Sequence, residues 1–435
     1  MFDIGLDLFP MLAGTLAAVG CAILGNFLVL RRLSLMGDAI SHSVLPGLVI
    51  AFLIASTRGP LVMFLGAAIA GVATVVLVEL VKTLGRVEPG AAMGVVFSVL
   101  FALGVLLIES AAVRHVDLDA ECVLHGQLET LVWYGAPETL AGLVGTSTLE
   151  QVPRQIVVLA IMVALALGFT GLLFKELRIA AFDPQLATTQ GFNATLMHYL
   201  LMVFVAGATV ASFEAVGSIL VIAMLVCPAA TARLLTDRLV TQMVWSVVIA
   251  LVCGIGGYVA ASAIPALLGR DAVNAAGSMA VTAGVLLGLG IVIAPRHGVI
   301  PRAIRRRRLA RRVALDDLLA TLHRRAESGH DRVPVASLEG ASGRPGVESL
   351  ARAAHKRGLV TLDAGALILT ESGRDRAARV IRRHRLWEHY LVHQAGLAPD
   401  HVHHAAEQLE HLDPHPDEGP RRDPHGNPIP GTDPF

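Results

Sequence analysis

Long apolar runs between residues 9 and 294 are the feature that most constrains how this chain folds. A helix needs about 20 mostly apolar residues to cross the hydrocarbon core of a bilayer, where every backbone polar group must be bonded internally. Nine runs approach this length, which predicts an all-α polytopic membrane bundle of about nine spans. The predicted spans are Phe9–Leu30, Asp38–Ala55, Leu61–Val81, Ala91–Ile108, Arg154–Phe174, Thr195–Ser212, Ala215–Leu234, Val240–Ile264 and Ala275–Ile293.

The character of the sequence changes abruptly near residue 300. Seven arginines crowd into residues 302–312, and charged residues and histidines dominate from there to the end. The formal net charge of zero hides this asymmetry. We therefore expect a membrane domain over 1–298, a basic juxtamembrane linker over 299–312, and soluble domains over 313–373 and 374–435, the last with a tail rich in proline and histidine.

The distribution of basic residues between loops predicts the orientation of the spans, because cytoplasmic loops carry more lysine and arginine. Nine spans then place the N-terminus outside and the C-terminal domains in the cytosol, with the arginine-rich stretch on the cytosolic side. The loops predicted to be cytoplasmic contain Arg31, Arg32, Lys82, Arg86, Lys175, Arg178, Arg233 and Arg238.

Asp38 and His42 are the most informative ionisable residues within the predicted spans. They are four residues apart and share one helical face. A carboxylate and an imidazole suit a divalent transition metal, and two copies across a dimer axis would supply four ligands. The alternative is a helix-end salt bridge near the interface, with Arg31 and Arg32 close by. Single residues near span ends are read as interfacial or packing residues; these are Glu79, Glu109, His198 and Glu214.

Two segments carry a family resemblance. Residues 30–47 read LRRLSLMGDAISHSVLPG, and residues 212–225 read SFEAVGSILVIAML, followed by PAATA at 228–232. Over residues 1–298 the chain resembles the permeases of manganese, zinc and iron ABC transporters. The resemblance implies a type II importer fold in which Asp38 and His42 coordinate the transported metal and no cofactor is tightly bound. It also implies a permease homodimer or heterodimer, two ABC ATPase subunits and an extracytoplasmic metal-binding protein.

The segment 182–191, FDPQLATTQG, is a polar insertion between spans that resembles the coupling helix of this family. Asp183 is expected to cap a short helix beginning near Pro184, and Gly191 to end it. The resemblance implies that Phe182, Asp183, Ala187 and Gly191 contact the ATPase; the alternative is an ordinary connecting loop. No Walker motif occurs in the chain, so ATP hydrolysis must come from a partner and the chain is not itself an enzyme.

The soluble part predicts an α+β winged-helix domain followed by a helical domain. Helices are expected over Ala314–Arg325 and Val347–Arg357, the second ended by Gly358. Two alternating stretches, Leu359–Leu362 and Ala366–Thr370, flank turn residues and predict a β-hairpin. A long helix is expected to follow, running through His384.

Residues 369–374 (LTESGR), 383–388 (RHRLWE) and 407–411 (EQLEH) resemble repressors of the diphtheria-toxin-repressor type, which respond to iron or manganese. The resemblance implies a metal-binding and dimerisation domain in which Mn²⁺, Fe²⁺ or Zn²⁺ is the sensor ligand. Asp317 stands in the first helix, but Ala320 replaces a carboxylate of the manganese-type regulators. The metal ligands implied by position are His384, Glu388, His403, Glu407, Glu410 and His411.

These features predict a permease whose cytosolic tail senses metal and restrains transport when metal is plentiful. Manganese is favoured over zinc and iron as cargo. One alternative is a membrane-anchored DNA-binding regulator, which Glu348 and the glycines at 343 and 346 disfavour in the recognition segment. Another is a secondary transporter, which would work without an ATPase. All three readings place the chain in a prokaryotic cell membrane, in contact with lipid.

Overall fold

The computed structural model describes residues 3–55, 57, 59–112, 128–133, 136, 151–342, 346–411 and 422–430. The chain forms two compact units, Met1–Pro301 and Arg302–Phe435. Each unit is described by itself.

The described residues of the first unit form helices and the connections between them. Nine of its segments are long and apolar enough to cross a membrane, in agreement with the predicted number. The helices are α1 (Ile4–Leu30), α2 (Met36–Ala55), α3 (Pro60–Gly85), α4 (Pro89–Ala112), α5 (Arg154–Leu172), α6 (Phe174–Phe182), α7 (Pro184–Thr189), α8 (Ala194–Leu235), α9 (Leu239–Leu251), α10 (Gly257–Leu267) and α11 (Ala275–Ile293). A π-helical turn, Val252–Gly256, joins α9 and α10 into one span.

Helix α1 lies at the centre of the bundle, with most of its length buried. Small residues let its neighbours approach the backbone closely, as in other membrane helix pairs. At Gly25 an added Cβ would stand 1.9 Å from the carbonyl oxygen of Leu225 in α8. At Gly14 it would meet the Met279 side chain of α11. Glycine is therefore required where α1 crosses α8.

Helix α8 is two spans joined at Gly217, where φ is 74° and ψ is 169°. The sequence predicted this break a few residues earlier, near Phe213. Contacts with α1 show that the chain turns back: His198 lies beside Arg31, Ser212 beside Cys21, and Leu225 beside Gly25. The first half of α8 thus follows α1 from its C-terminal end towards its middle, and the second half returns. Only glycine adopts such a φ and ψ readily, so Gly217 fixes the reversal.

The second unit contains three antiparallel strands among helices. The helices are α12 (Val299–Glu327, which begins in the first unit), α13 (Val335–Ser342), α14 (Val347–Lys356), α15 (Glu371–His393) and α16 (His403–Leu409). The strands are β1 (Val333–Pro334), β2 (Val360–Asp363) and β3 (Ala366–Leu369), in the order β1-β3-β2.

The predicted hairpin is confirmed by the pairing of β2 with β3, from Val360 opposite Leu369 to Asp363 opposite Ala366. Ala364 and Gly365 have φ of 48° and 77°, the left-handed conformations that tight hairpin turns need. The arginine-rich segment predicted as a linker lies within helix α12. Helix α13 and strand β1 were not predicted.

Candidate metal centres

Asp38 and His42 lie on one face of α2, one helical turn apart. The His42 Nε2 atom is 3.3 Å from Asp38 Oδ1, and the two side chains are 25% and 37% exposed respectively. The imidazole packs beside Phe97 and Phe101 of α4, at ring-centroid distances of 5.1 and 5.6 Å. This partly exposed carboxylate–imidazole pair packs against aromatic rings. It provides two donor atoms for a metal ion and leaves room for further ligands.

The salt-bridge alternative placed Arg31 close to Asp38 and His42, but the Arg31 side chain contacts His198. Its Nη1 atom lies 3.1 Å from Nδ1 of His198, whose Nε2 is 3.6 Å from Glu79. Glu79 also accepts a hydrogen bond from Lys82 at 3.0 Å. Glu79 and His198, which the sequence presented as isolated residues, therefore belong to one cluster that ties α1, α3 and α8 together.

The predicted coupling segment contains a short capped helix. The Asp183 carboxylate accepts hydrogen bonds from the backbone N–H groups of Gln185 and Leu186, both at 3.0 Å, at the start of α7. The helix ends at Thr189, and Gly191 follows with φ of 87°. Ala187 is buried, whereas Phe182 is 57% exposed. The sequence thus predicted both the cap and the glycine, and an exposed aromatic side chain stands just before the helix.

Three of the six predicted sensor ligands meet in the second unit. His384, Glu388 and His403, the first group, place one ligand atom each within 4.8 Å of one another. Glu388 Oε1 lies 3.1 Å from His384 Nε2 and 2.9 Å from His403 Nδ1. His384 and Glu388 are almost completely buried, while His403 is exposed. The i, i+4 spacing on α15 and the start of α16 bring these residues together.

In the first group, a protonated histidine lies beside an ionised glutamate. Burial alone would lower the pKa of His384, but its hydrogen bonds to Glu388 and Glu410 raise that pKa to about 9. Burial likewise opposes ionisation of Glu388, yet hydrogen bonds from His384 and His403 lower its pKa to about 2. A metal ion can bind His384 Nε2 beside Glu388 and His403 only after the proton on that nitrogen leaves, so metal and proton compete for this position.

Asp317, Glu410 and His411 form a second group with the same 4.8 Å limit. His411 Nε2 is 3.1 Å from Asp317 Oδ1, and this bond raises the pKa of His411. Glu410, a member of the second group, also contacts the first: its Oε1 lies 3.4 Å from His411, and its Oε2 lies 2.5 Å from His384 Nδ1, the ring nitrogen opposite the one that faces Glu388 and His403. The geometry therefore describes two adjacent candidate sites bridged by Glu410.

One predicted ligand falls outside both groups. Glu407 is exposed, and its carboxylate lies 3.7 Å from Nδ1 of His404. Glu407 and His411 are four residues apart, a spacing that would put them on one helical face, but α16 ends at Leu409, before His411. Asp317, in contrast, was noticed in the sequence but not predicted as a ligand. Its signal was a pair of adjacent carboxylates, Asp316 and Asp317, among the apolar residues of a largely basic helix.

A short segment near the C-terminus approaches the first group. Arg385 donates a hydrogen bond to the carbonyl of Pro428 and lies 3.6 Å from Asp423. Asp423 in turn accepts from the backbone N–H groups of His425 and Asn427. His425 is thereby held with its Nε2 3.9 Å from Glu388 Oε1.

The donor sets fit a divalent transition metal. Each group mixes imidazole nitrogen with carboxylate oxygen, a combination that suits Mn²⁺, Fe²⁺ and Zn²⁺. The buried, ionised carboxylates supply the negative charge that a cation requires. The residues present are therefore suited to holding a metal ion.

Comparison with known families agrees with this division of the chain. Residues 8–133 and 143–287 match the profile of the ABC 3 transport family. Residues 370–415 match the iron dependent repressor, metal binding and dimerisation domain. The second match contains all six predicted ligands and both helices that carry the first group.

Relatives and a solved structure give the same picture. The chain is 38% identical over 292 residues to the manganese transport system membrane protein MntD of Bacillus subtilis (strain 168), covering 67% of this chain and 93% of MntD. It is 37% identical over 374 residues to the zinc transport system membrane protein TroD of Treponema pallidum (strain Nichols), covering 83% and 95%. In structure it resembles PsaBC from Streptococcus pneumoniae in complex with Fab, with a TM-score of 0.52, 28% identity, and coverage of 67% and 92%.

Proposed function

Because the chain belongs to the ABC 3 transport family, we propose that it is the membrane permease of an ATP-driven importer of a divalent transition metal. Manganese is the favoured cargo over zinc and iron, since both relatives described above move manganese or zinc and the fused domain is of an iron-dependent repressor type. The observation that carries the proposal is the contact between Asp38 and His42, a metal-ligand pair inside a bundle of this family.

The assembly needs partners on both sides of a prokaryotic cell membrane. An extracytoplasmic metal-binding protein delivers the ion, and ABC ATPase subunits engage the segment around α7, with Phe182, Asp183, Ala187 and Gly191 at the contact. The distribution of basic loop residues supports an external N-terminus and a cytosolic second unit. Two permease chains, identical or related, bring two Asp38–His42 pairs together around one ion.

Within this assembly the chemistry of the pathway is exchange of ligands. Asp38 and His42 replace part of the hydration shell of the ion, and their partial exposure leaves a face for the second permease chain. Phe97 and Phe101 pack against the imidazole and restrict its movement. Cycles of ATP binding and hydrolysis in the partner then open the pathway alternately to each side.

The test is metal uptake by the permease assembled with its ATPase in proteoliposomes. Asp38→Asn and His42→Gln should each reduce uptake at least tenfold while leaving assembly intact. Asp237→Asn is a matched control, because Asp237 also contacts a histidine, His297 at 2.9 Å, but outside the predicted spans. Uptake at the parental rate by both pathway variants would disprove the proposed route.

We further propose that the two bridged groups of the second unit sense cytosolic metal and restrain transport. A ligand shifts a protein towards the state that it binds more tightly, so metal at these groups can favour one state of the tail. In support, the buried carboxylates and His384 form a site whose protons a metal ion would displace. In the regulatory step, the metal-bound state of the second unit lowers the transport rate of the permease.

Two changes test the regulatory role. Ending the chain after Pro301 should leave uptake intact but remove its damping by cytosolic metal. His384→Gln should do the same in the full chain, whereas His404→Gln, at an exposed neighbour, should retain damping. Damping that persists in the truncated chain would reject the sensor. A gel-shift with the full chain tests the competing DNA-binding hypothesis. That hypothesis requires a sequence-specific decrease in the mobility of a DNA duplex.

A further inference from the structure

An arginine-lined cavity lies in the second unit, apart from both metal groups. Its volume is about 390 Å³, within the range of small-ligand pockets. Helices α12, α14 and α15 converge on it. The residues that line it are Arg312, Asp316, Arg357, Arg376, Arg379, Val380 and Arg383.

Three of these arginines come from one face of α15. Arg376, Arg379 and Arg383 recur at three- and four-residue intervals, so they stand above one another along the helix. His384 and Glu388 project about 100° further around the same helix, which separates the cavity from the first metal group. Helix α15 therefore presents a cationic face and a metal-ligand face side by side.

The charge of the cavity is strongly unbalanced. Among the described residues that line it, Asp316 is the only carboxylate; it is mostly buried and accepts a hydrogen bond from Arg376 Nε at 2.7 Å. This pair fixes one guanidinium at the wall. Arg312, Arg357 and Arg379 make no ion pair with the described part of the chain. Like charges gathered around one cavity repel one another, and an anion inside it relieves that repulsion.

Guanidinium groups favour a particular kind of anion. Their planar N–H donors match the oxygens of phosphate in paired hydrogen bonds, and phosphate recognition is a common use of clustered arginines. Val380 adds an apolar wall next to the charged groups, so the cavity also accommodates the carbon skeleton of a phosphate ester. Arg312, Arg357 and Arg379 together carry more positive charge than a single carboxylate ligand would neutralise.

We propose that this cavity binds a phosphate-bearing anion, either a soluble phosphate compound or the headgroup of an anionic lipid. The shared chemistry is a phosphate held by Arg312 and Arg379, with Arg376 positioned by Asp316. The headgroup source is included because α12, which supplies Arg312, carries the arginine-rich segment that begins nine residues after the last span. Neither source requires metal at the neighbouring groups.

The experiment is calorimetric titration of the full chain in a zwitterionic detergent at low ionic strength. One arm uses inorganic pyrophosphate, and the other uses dihexanoyl phosphatidylglycerol with dihexanoyl phosphatidylcholine as the uncharged reference. Saturable binding in either arm should weaken at least tenfold in Arg312→Gln and in Arg379→Gln, because each removes charge-assisted hydrogen bonds. Arg379→Lys should retain part of the affinity.

Arg374→Gln is the matched control, since Arg374 is exposed on the same helix but outside the cavity lining. It should bind as the parent does. Binding in the pyrophosphate arm identifies a soluble ligand, and binding confined to phosphatidylglycerol identifies the headgroup. No saturable binding in either arm, or an equal loss in Arg374→Gln, would overturn the proposal. Thermal unfolding of each variant confirms that the fold is retained.

Discussion

Metal binding to the first group should release a proton from His384. The pKa of this residue is about 9, so at pH 7 about 99% of the rings carry a proton that must leave before the nitrogen can bind a metal. Two pH units correspond to about 3 kcal/mol, or a 100-fold loss of apparent affinity. Glu388, with its pKa of about 2, is already ionised and adds no further cost at neutral pH.

The apparent Mn²⁺ affinity of this group should therefore rise about tenfold per pH unit between pH 7 and 9 and then level off. Anaerobic titrations of the full chain against buffered Mn²⁺ measure this slope, and calorimetry in buffers of different ionisation enthalpy counts the released protons. His384→Gln should abolish the slope of the first group. An affinity that stays constant from pH 7 to 9 in the parental chain would refute the reasoning.

Three further predictions concern the fold. Gly25→Ala should prevent correct assembly, because its Cβ would overlap a backbone carbonyl, while Gly94→Ala, with open space around it, should yield normal amounts of monodisperse protein. Asp183→Ala should destabilise helix α7 by about 1 kcal/mol, because it removes the N-cap. It should also lower the rate of transport-coupled ATP hydrolysis, while the basal rate of the ATPase without the permease stays unchanged. In chelator-treated protein, calorimetry should find the second unit most stable between about pH 4.5 and 6.5. The stabilisation from His384 is lost as the pH rises through about 9, and that from Glu388 is lost as the pH falls through about 2.

The membrane part was largely predictable from sequence because hydrocarbon imposes length and composition on every span. The nine apolar runs correspond to the nine spans, and the cap at Asp183 follows from local chemistry. The boundary between the sixth and seventh spans was predicted to within one residue, but the sequence did not identify Gly217 as the residue that breaks the helix, since apolar residues continue on both sides of it. Only the backbone conformation at that glycine marks the turn.

The candidate centres were predictable in part. Spacing along α15 and α2 paired His384 with Glu388 and Asp38 with His42, because these partners are one helical turn apart. The joining of Asp317 to His411 spans 94 positions, and no local pattern reveals it. The same limit applies to His198 and Glu79, which only the packing of three helices brings together.

The contacts of Glu410 with both groups affect how the second unit responds to the concentration of free metal. When an ion in one group binds Glu410, the carboxylate changes its orientation, and its contact with the other group changes as well. Occupancy of one site thus alters the affinity of the other, and the relation is reciprocal. If the coupling is favourable, the fraction of occupied domains climbs steeply over a narrow span of free ion concentration, which turns a gradual signal into a threshold.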